Sequence, residues 1–171
     1  SLLAIGIQPW FNLGYGNQLY IPEAPTPDAV GWAPIFTERA RTGWQNYVAA
    51  LAEHFADRVR HWEVWNEANA RGNFWQPREP DAGDYAWLVR LSAEAVRPRV
   101  PGATMVGGVV CTGLRARTMR FIEDMLEAGA GDQLDAVSYH PYYWNPDEGD
   151  ATYFEALRAL VRRYNPKLEL W

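Results

Sequence analysis

The residues of this chain best suited to acid–base chemistry lie in His61–Pro77, which reads His-Trp-Glu-Val-Trp-Asn-Glu-Ala-Asn-Ala-Arg-Gly-Asn-Phe-Trp-Gln-Pro. Glu67 stands at the mouth of an apolar segment, with the Asn66 amide before it and indole rings on both sides. An ionised carboxylate is costly in apolar surroundings unless it is paired, and its proton is otherwise held more tightly than in water. A carboxylic acid kept protonated near neutral pH is what a general acid requires. A solvated, structural Glu at a strand end fits the same letters, so spacing alone leaves both readings open.

Four other places carry side chains that could do chemistry. His140 closes Val137-Ser138-Tyr139-His140 and is followed by Pro141 and the aromatics Tyr142, Tyr143 and Trp144. Glu63 lies four residues before Glu67, and strand alternation would put residues 63, 65 and 67 on one side. A charge facing inward there needs a partner, either an Arg from another strand or a proton. Glu169, in Lys167-Leu168-Glu169-Leu170-Trp171, is a second carboxylate near a strand. The loop after Gln8-Pro9-Trp10 is long and broken by glycine and proline, and its Trp10, Tyr15, Asn17 and Tyr20 suit a substrate-facing wall. Gly14-Tyr15-Gly16 lacks the prompt helix and the Lys-Ser/Thr of a phosphate loop. The three histidines show no metal-ligand spacing, and Cys111, the single cysteine, reads as a small buried hydrophobe.

Trp65-Asn66-Glu67-Ala68-Asn69, preceded by Glu63-Val64 and followed by Phe74-Trp75, resembles the strand-four signature of clan A glycoside hydrolases, most closely family 39 and its relatives. The resemblance implies a retaining β-glycosidase in which Glu67 is the general acid/base and Asn66 binds the sugar 2-hydroxyl. It departs in one place, with Ala68 where the family commonly has proline. Leu13-Gly14-Tyr15-Gly16-Asn17 is similar to the loop after strand three of the same group. Ser138-Tyr139-His140-Pro141-Tyr142 is similar to its strand-six end, which implies that His140 lines the cleft near the nucleophile. Tyr142, Trp144, Trp75 and Trp10 are then sugar-contact candidates, with core packing the rival explanation for each. The nucleophile is expected at the end of strand seven, within the first residues after Trp171. Glu169 falls near the middle of that strand unless the strand is short. Such chemistry uses no cofactor and no metal. The competing reading is a carbohydrate-binding barrel without hydrolytic activity, because this fold serves many functions.

The elements that must position these groups alternate. Strands are expected over Leu2–Ile7, around Trp62–Val64, over Met105–Cys111, over Leu134–Tyr139 and after Pro166. Helices are expected over Thr37–Val59, Asp81–Val96 with Asp81 as N-cap, Arg117–Ala128, and from about Ala151 to Tyr164. Strict alternation argues for a parallel sheet with crossover helices, which a doubly wound sheet and a TIM barrel both satisfy. Polar and aromatic residues crowd the ends of successive strands, as they do at the active face of a barrel. The expected fold class is therefore α/β: a single domain, residues 1–171, forming about strands three to seven of a (β/α)8 barrel and incomplete at both ends. Taken alone, such a piece is expected to be inactive and to expose two unpaired sheet edges.

Composition agrees with a carbohydrate partner. The 171 residues include nine Trp and nine Tyr, the side chains on which the apolar face of a pyranose packs. A net charge of −5 and a single lysine argue against nucleic acid. No apolar run approaches the ~20 residues of a membrane span. No signal peptide is visible, but the chain begins at Ser1 inside an expected strand, so an N-terminal segment is expected to precede it and export is left open.

Overall fold

The computed structural model describes residues 2–25, 29–70, 72, 74–111, 115–142 and 151–171. Trp144, Arg71 and Asn73 lie outside the described residues. Five parallel strands alternate with four helices: β1 (Trp10–Leu13), α1 (Glu38–Phe55), β2 (His61–Val64), α2 (Ala82–Val96), β3 (Thr104–Cys111), α3 (Arg115–Glu127), β4 (Ala136–His140), α4 (Ala151–Tyr164) and β5 (Glu169–Leu170).

The strands pair in chain order, β1-β2-β3-β4-β5, all parallel. This order separates the two architectures left open by the sequence. A doubly wound sheet reverses its strand order at a switch point, which sends helices to both faces. A sheet that advances in one direction through right-handed crossovers keeps its helices on one face, as a barrel wall does. Here α1 touches α2, α2 touches α3, and α3 touches α4, along one side of the sheet.

The core lies between the sheet and that helical layer. Trp62 and Val64 of β2, Met105 of β3 and Val137 of β4 are fully buried against Tyr85, Leu88, Ile122, Met125 and Leu157 of the helices. Alternation sends Asn12, Glu63 and Ser138 to the other face, the barrel interior. The helix starts follow their local letters. The Thr37 hydroxyl accepts the Ala40 N–H at 3.1 Å, and the Asp81 carboxylate accepts the Asp84 N–H at 2.8 Å. Among the described residues no helix is long and apolar enough to cross a membrane.

The expected strand over Leu2–Ile7 is a correction. Leu3–Ile5 forms a 3-10 turn, and Leu2, Ile5 and Ile7 are exposed. A short apolar run cannot be told from other apolar segments by periodicity. The first strand instead starts after Pro9, at Trp10, where Phe11 and Leu13 point into the helical layer.

Candidate active site

Glu67 lies just past the C-terminal end of β2, where the chain leaves the sheet abruptly. Trp65 and Glu67 both have positive φ, 65° and 44°, a conformation uncommon for side-chain-bearing residues and often found where a site imposes it. The turn changes the strand phase. Trp65 does not face the interior with Glu63, as simple alternation would have it. Its ring is buried against Trp44 and Trp75, and its indole N–H donates to the Phe74 carbonyl at 2.6 Å.

That burial leaves Glu67 as the group presented at the strand end. Its side chain is only 13% exposed, yet it is well partnered. Oε1 lies 2.8 Å from Nδ1 of His140, at the end of β4, and accepts the Tyr142 hydroxyl at 3.1 Å. The His140 and Tyr142 rings meet edge to face at 5.9 Å. The Glu67 charge and its hydrogen bond raise the Tyr142 phenol above its ordinary pKa. Tyr15, across the mouth, is raised first by burial and then by the Glu67 charge, which places it within electrostatic reach. Its ring stacks on Phe74 and meets Trp65 edge-on. Asn66 is half-buried beside the carboxylate. A carboxyl, an imidazole and a phenol thus meet at the mouth of the sheet, with the Tyr15 phenol in electrostatic reach, a set able to hold a polyhydroxylated substrate and exchange a proton with it.

Beneath this cluster the interior holds a second network. Glu63 Oε1 accepts the Ser138 hydroxyl at 2.8 Å, and Oε2 lies 3.3 Å from the Asn12 amide nitrogen. That amide also donates to the Trp65 carbonyl at 2.6 Å. Glu63 is therefore partnered by two neutral donors from β1 and β4, where an arginine was one of the partners expected. Asn12 and Ser138 were not anticipated as a pair, although each is a lone polar residue on the inward face of an apolar strand.

Two expected sugar contacts are not brought to Glu67. Trp75 is fully buried, with Trp65, Tyr85 and Phe36 edge-on around it, because the following residue Gln76 bridges to Trp32 and folds the loop onto the core. Trp10 begins β1, opposite His61, and lines the interior pocket with Asn12, Glu63, Ser138 and His140 without a contact to Glu67 among the described residues. Its ring packs on Trp171 at 5.1 Å and near His61 at 6.3 Å. Gln8 and Pro9 precede the strand and Trp10 opens it, so the run is a strand start and not a strand end. Glu169 is remote from Glu67. It pairs with Ala136, four residues before His140, and its carboxylate accepts the Trp171 indole N–H at 2.7 Å. Four residues of strand amount to about 13 Å.

No protein-family model and no curated protein matches the chain. Solved structures do. A family 39 glycoside hydrolase from the gut symbiont Bacteroides cellulosilyticus WH2 aligns over 82% of this chain with 29% identity and a TM-score of 0.60. The chain resembles the family 39 glycoside hydrolases. A family 39 β-xylosidase from Caulobacter crescentus aligns over 99% of it with 22% identity and a TM-score of 0.74. A xylanase from Paenibacillus barcinonensis aligns over 98% with 15% identity and a TM-score of 0.61. The two family 39 structures and the xylanase are longer, the chain spanning 26%, 37% and 50% of them respectively. Its fold is thus part of the barrel of these glycoside hydrolases, with Glu67 at the C-terminal face where barrel active sites lie.

Proposed function

We propose that the protein is a retaining β-glycosidase in which Glu67 is the general acid/base. The observation that carries this reading is the Glu67 carboxylate itself: set at the C-terminal end of a barrel strand, largely shielded from water, and held by His140 and Tyr142. In the first step Glu67 gives its proton to the glycosidic oxygen as the bond to the anomeric carbon breaks. A second carboxylate attacks that carbon from the opposite side and forms a glycosyl ester. Glu67, now ionised, takes a proton from water, the water oxygen bonds to the anomeric carbon, and the ester is released. Asn66 would hold the 2-hydroxyl, an interaction that strengthens as the ring flattens.

The strand register supports a nucleophile after Trp171. The Trp171 N–H donates to the Val137 carbonyl, and the Tyr139 N–H donates to the Trp171 carbonyl, which sets Trp171 opposite Ser138. The position opposite His140 is then two residues further on. A carboxylate there would stand beside the residue that holds Glu67, in keeping with the 5–5.5 Å spacing of retaining enzymes. Glu169 is too low in the barrel to meet that spacing.

Because the Caulobacter neighbour is named a β-xylosidase and the Paenibacillus neighbour a xylanase, β-xylosides are the first substrates to test. The full-length protein should release product of retained β configuration from an aryl β-xyloside or from another aryl β-glycoside in a panel, as read by proton NMR of the first-formed sugar. Product of inverted configuration would contradict the retaining mechanism. Saturable sugar binding with no hydrolysis would favour the non-catalytic carbohydrate-binding reading.

A further inference from the structure

The backbone under Glu67 is fastened to an irregularity in the neighbouring strand. β3 pairs with β4 regularly up to Gly108, and then the register slips between Gly108 and Val110. Gly108 and Val109 both have positive φ, 91° and 40°. Bulges of this kind re-aim the groups at a strand end. Here the Val109 carbonyl accepts the Glu67 N–H at 2.7 Å. The position of the acid is therefore tied to the shape of the bulge.

Two side chains fasten the bulge, one on each side of it. Tyr85, fully buried on α2, donates its hydroxyl proton to the Val64 carbonyl at 2.9 Å and accepts the Gly108 N–H at 2.8 Å. One phenol thus ties the last residue of β2 to the first residue of the bulge. At Gly108 glycine is required for space as well as for conformation, and at Gly107 the space is tight. A Cβ on Gly107 would meet the Leu134 side chain at 2.8 Å and the Tyr85 oxygen at 3.1 Å, and one on Gly108 would meet the Ser138 carbonyl at 2.9 Å. Asn69, two residues after Glu67, closes the other side. Its amide donates to the Cys111 carbonyl at 2.9 Å and its oxygen accepts the Cys111 N–H at 3.0 Å. Cys111 is the β3 residue paired with His140, the partner of Glu67.

We propose that Tyr85 and Asn69 are positioning residues for Glu67, fixing the β3 bulge and through it the alignment of the acid with the glycosidic oxygen. Neither touches substrate. The proposal rests on Glu67 being the general acid/base, and misplacing such a group by about 1 Å can cost about a hundredfold in rate.

The test uses the full-length protein and kcat/KM for two glycosides of one sugar, one with an activated aryl leaving group and one with a poor leaving group. An activated leaving group departs without a proton, so only the second substrate reports the alignment of the acid. Tyr85→Phe and Asn69→Ala should each lower kcat/KM for the poor leaving group about tenfold or more, and change it by no more than about twofold for the activated one. Ser92→Ala is the control for mere destabilisation. Ser92 is also buried on α2 and accepts the Trp44 indole N–H, but has no link to the bulge. It should lower Tm without splitting the two substrates. Equal losses on both substrates, or no loss, in the tyrosine and asparagine variants would overturn the proposal. If Tyr85→Phe fails to fold, the half-buried Asn69 carries the test alone. Glu67→Gln separates the two levels of inference. A split there with none in Asn69→Ala and Tyr85→Phe refutes only the positioning role, whereas no split in Glu67→Gln refutes the acid assignment and this proposal with it.

Discussion

The Nδ1 atom of His140 lies 2.8 Å from Oε1 of Glu67, across 73 residues of chain. The contact joins the ends of β2 and β4, two strands separated by β3. Removing one partner of a shielded hydrogen bond costs about 1–3 kcal/mol. Removing the imidazole should therefore cost about ten- to a hundredfold in turnover of poor leaving-group glycosides. His140→Ala is expected to show this loss in steady-state kinetics, and His140→Gln, which can still donate, to recover part of it. Wild-type rates in His140→Ala would remove the imidazole from the site.

Asn66 is predicted to act through the sugar 2-hydroxyl. A bond that strengthens in the transition state lowers kcat together with kcat/KM when it is lost, by several kcal/mol in all. Asn66→Ala should show that pattern on the parent glycoside and little effect on its 2-deoxy analogue. Equal damage on both substrates would assign Asn66 some other role.

Trp75 belongs to the core and not to the cleft. Trp75→Ala should cost about 3–5 kcal/mol in urea unfolding, the usual loss for a deleted core aromatic. In whatever fraction remains folded, KM should be near that of the parent. A raised KM with unchanged stability would restore it as a sugar platform.

Tyr85 should leave a signature at alkaline pH. Burial raises its phenol far above the usual pKa of about 10, so above that pH the unfolded chain gives up this proton while the folded one keeps it. The folded state then binds more protons, and stability falls as pH rises. Tyr85 contributes fully below about pH 10 and costs up to about 1.4 kcal/mol per pH unit above it. Urea denaturation of Tyr85→Phe between about pH 10 and 12 should show a shallower decline than the parent; parallel declines would mean that Tyr85 is not buried as described.

Much of this was legible in the letters because it depends on local chemistry. The helix stripes and the Asp81 cap announce themselves within a few residues, and the Asn66-Glu67 pair stands out by its resemblance to a family signature. What was not legible depends on where strands begin and how they fit together. Leu2–Ile7 is as apolar as a strand but forms a 3-10 turn, and that error put Trp10 after a strand when it opens one. The phase reversal at Trp65 arises from a backbone turn that alternation cannot foresee. The Asn12, Glu63 and Ser138 cluster needs three strands in register before it exists.

Azide rescue of Glu67→Ala in the full-length protein tests the acid/base assignment most directly. Removing the carboxylate leaves a space beside the anomeric carbon and removes the base that activates water for the second step. Azide is small and needs no base, so it can enter that space and attack the glycosyl ester from the face water would have used. The predicted result is a restored rate on an activated aryl glycoside, with a glycosyl azide of retained β configuration as product. No rescue, or a glycosyl azide of inverted configuration, would contradict the account, the latter by making Glu67 the nucleophile.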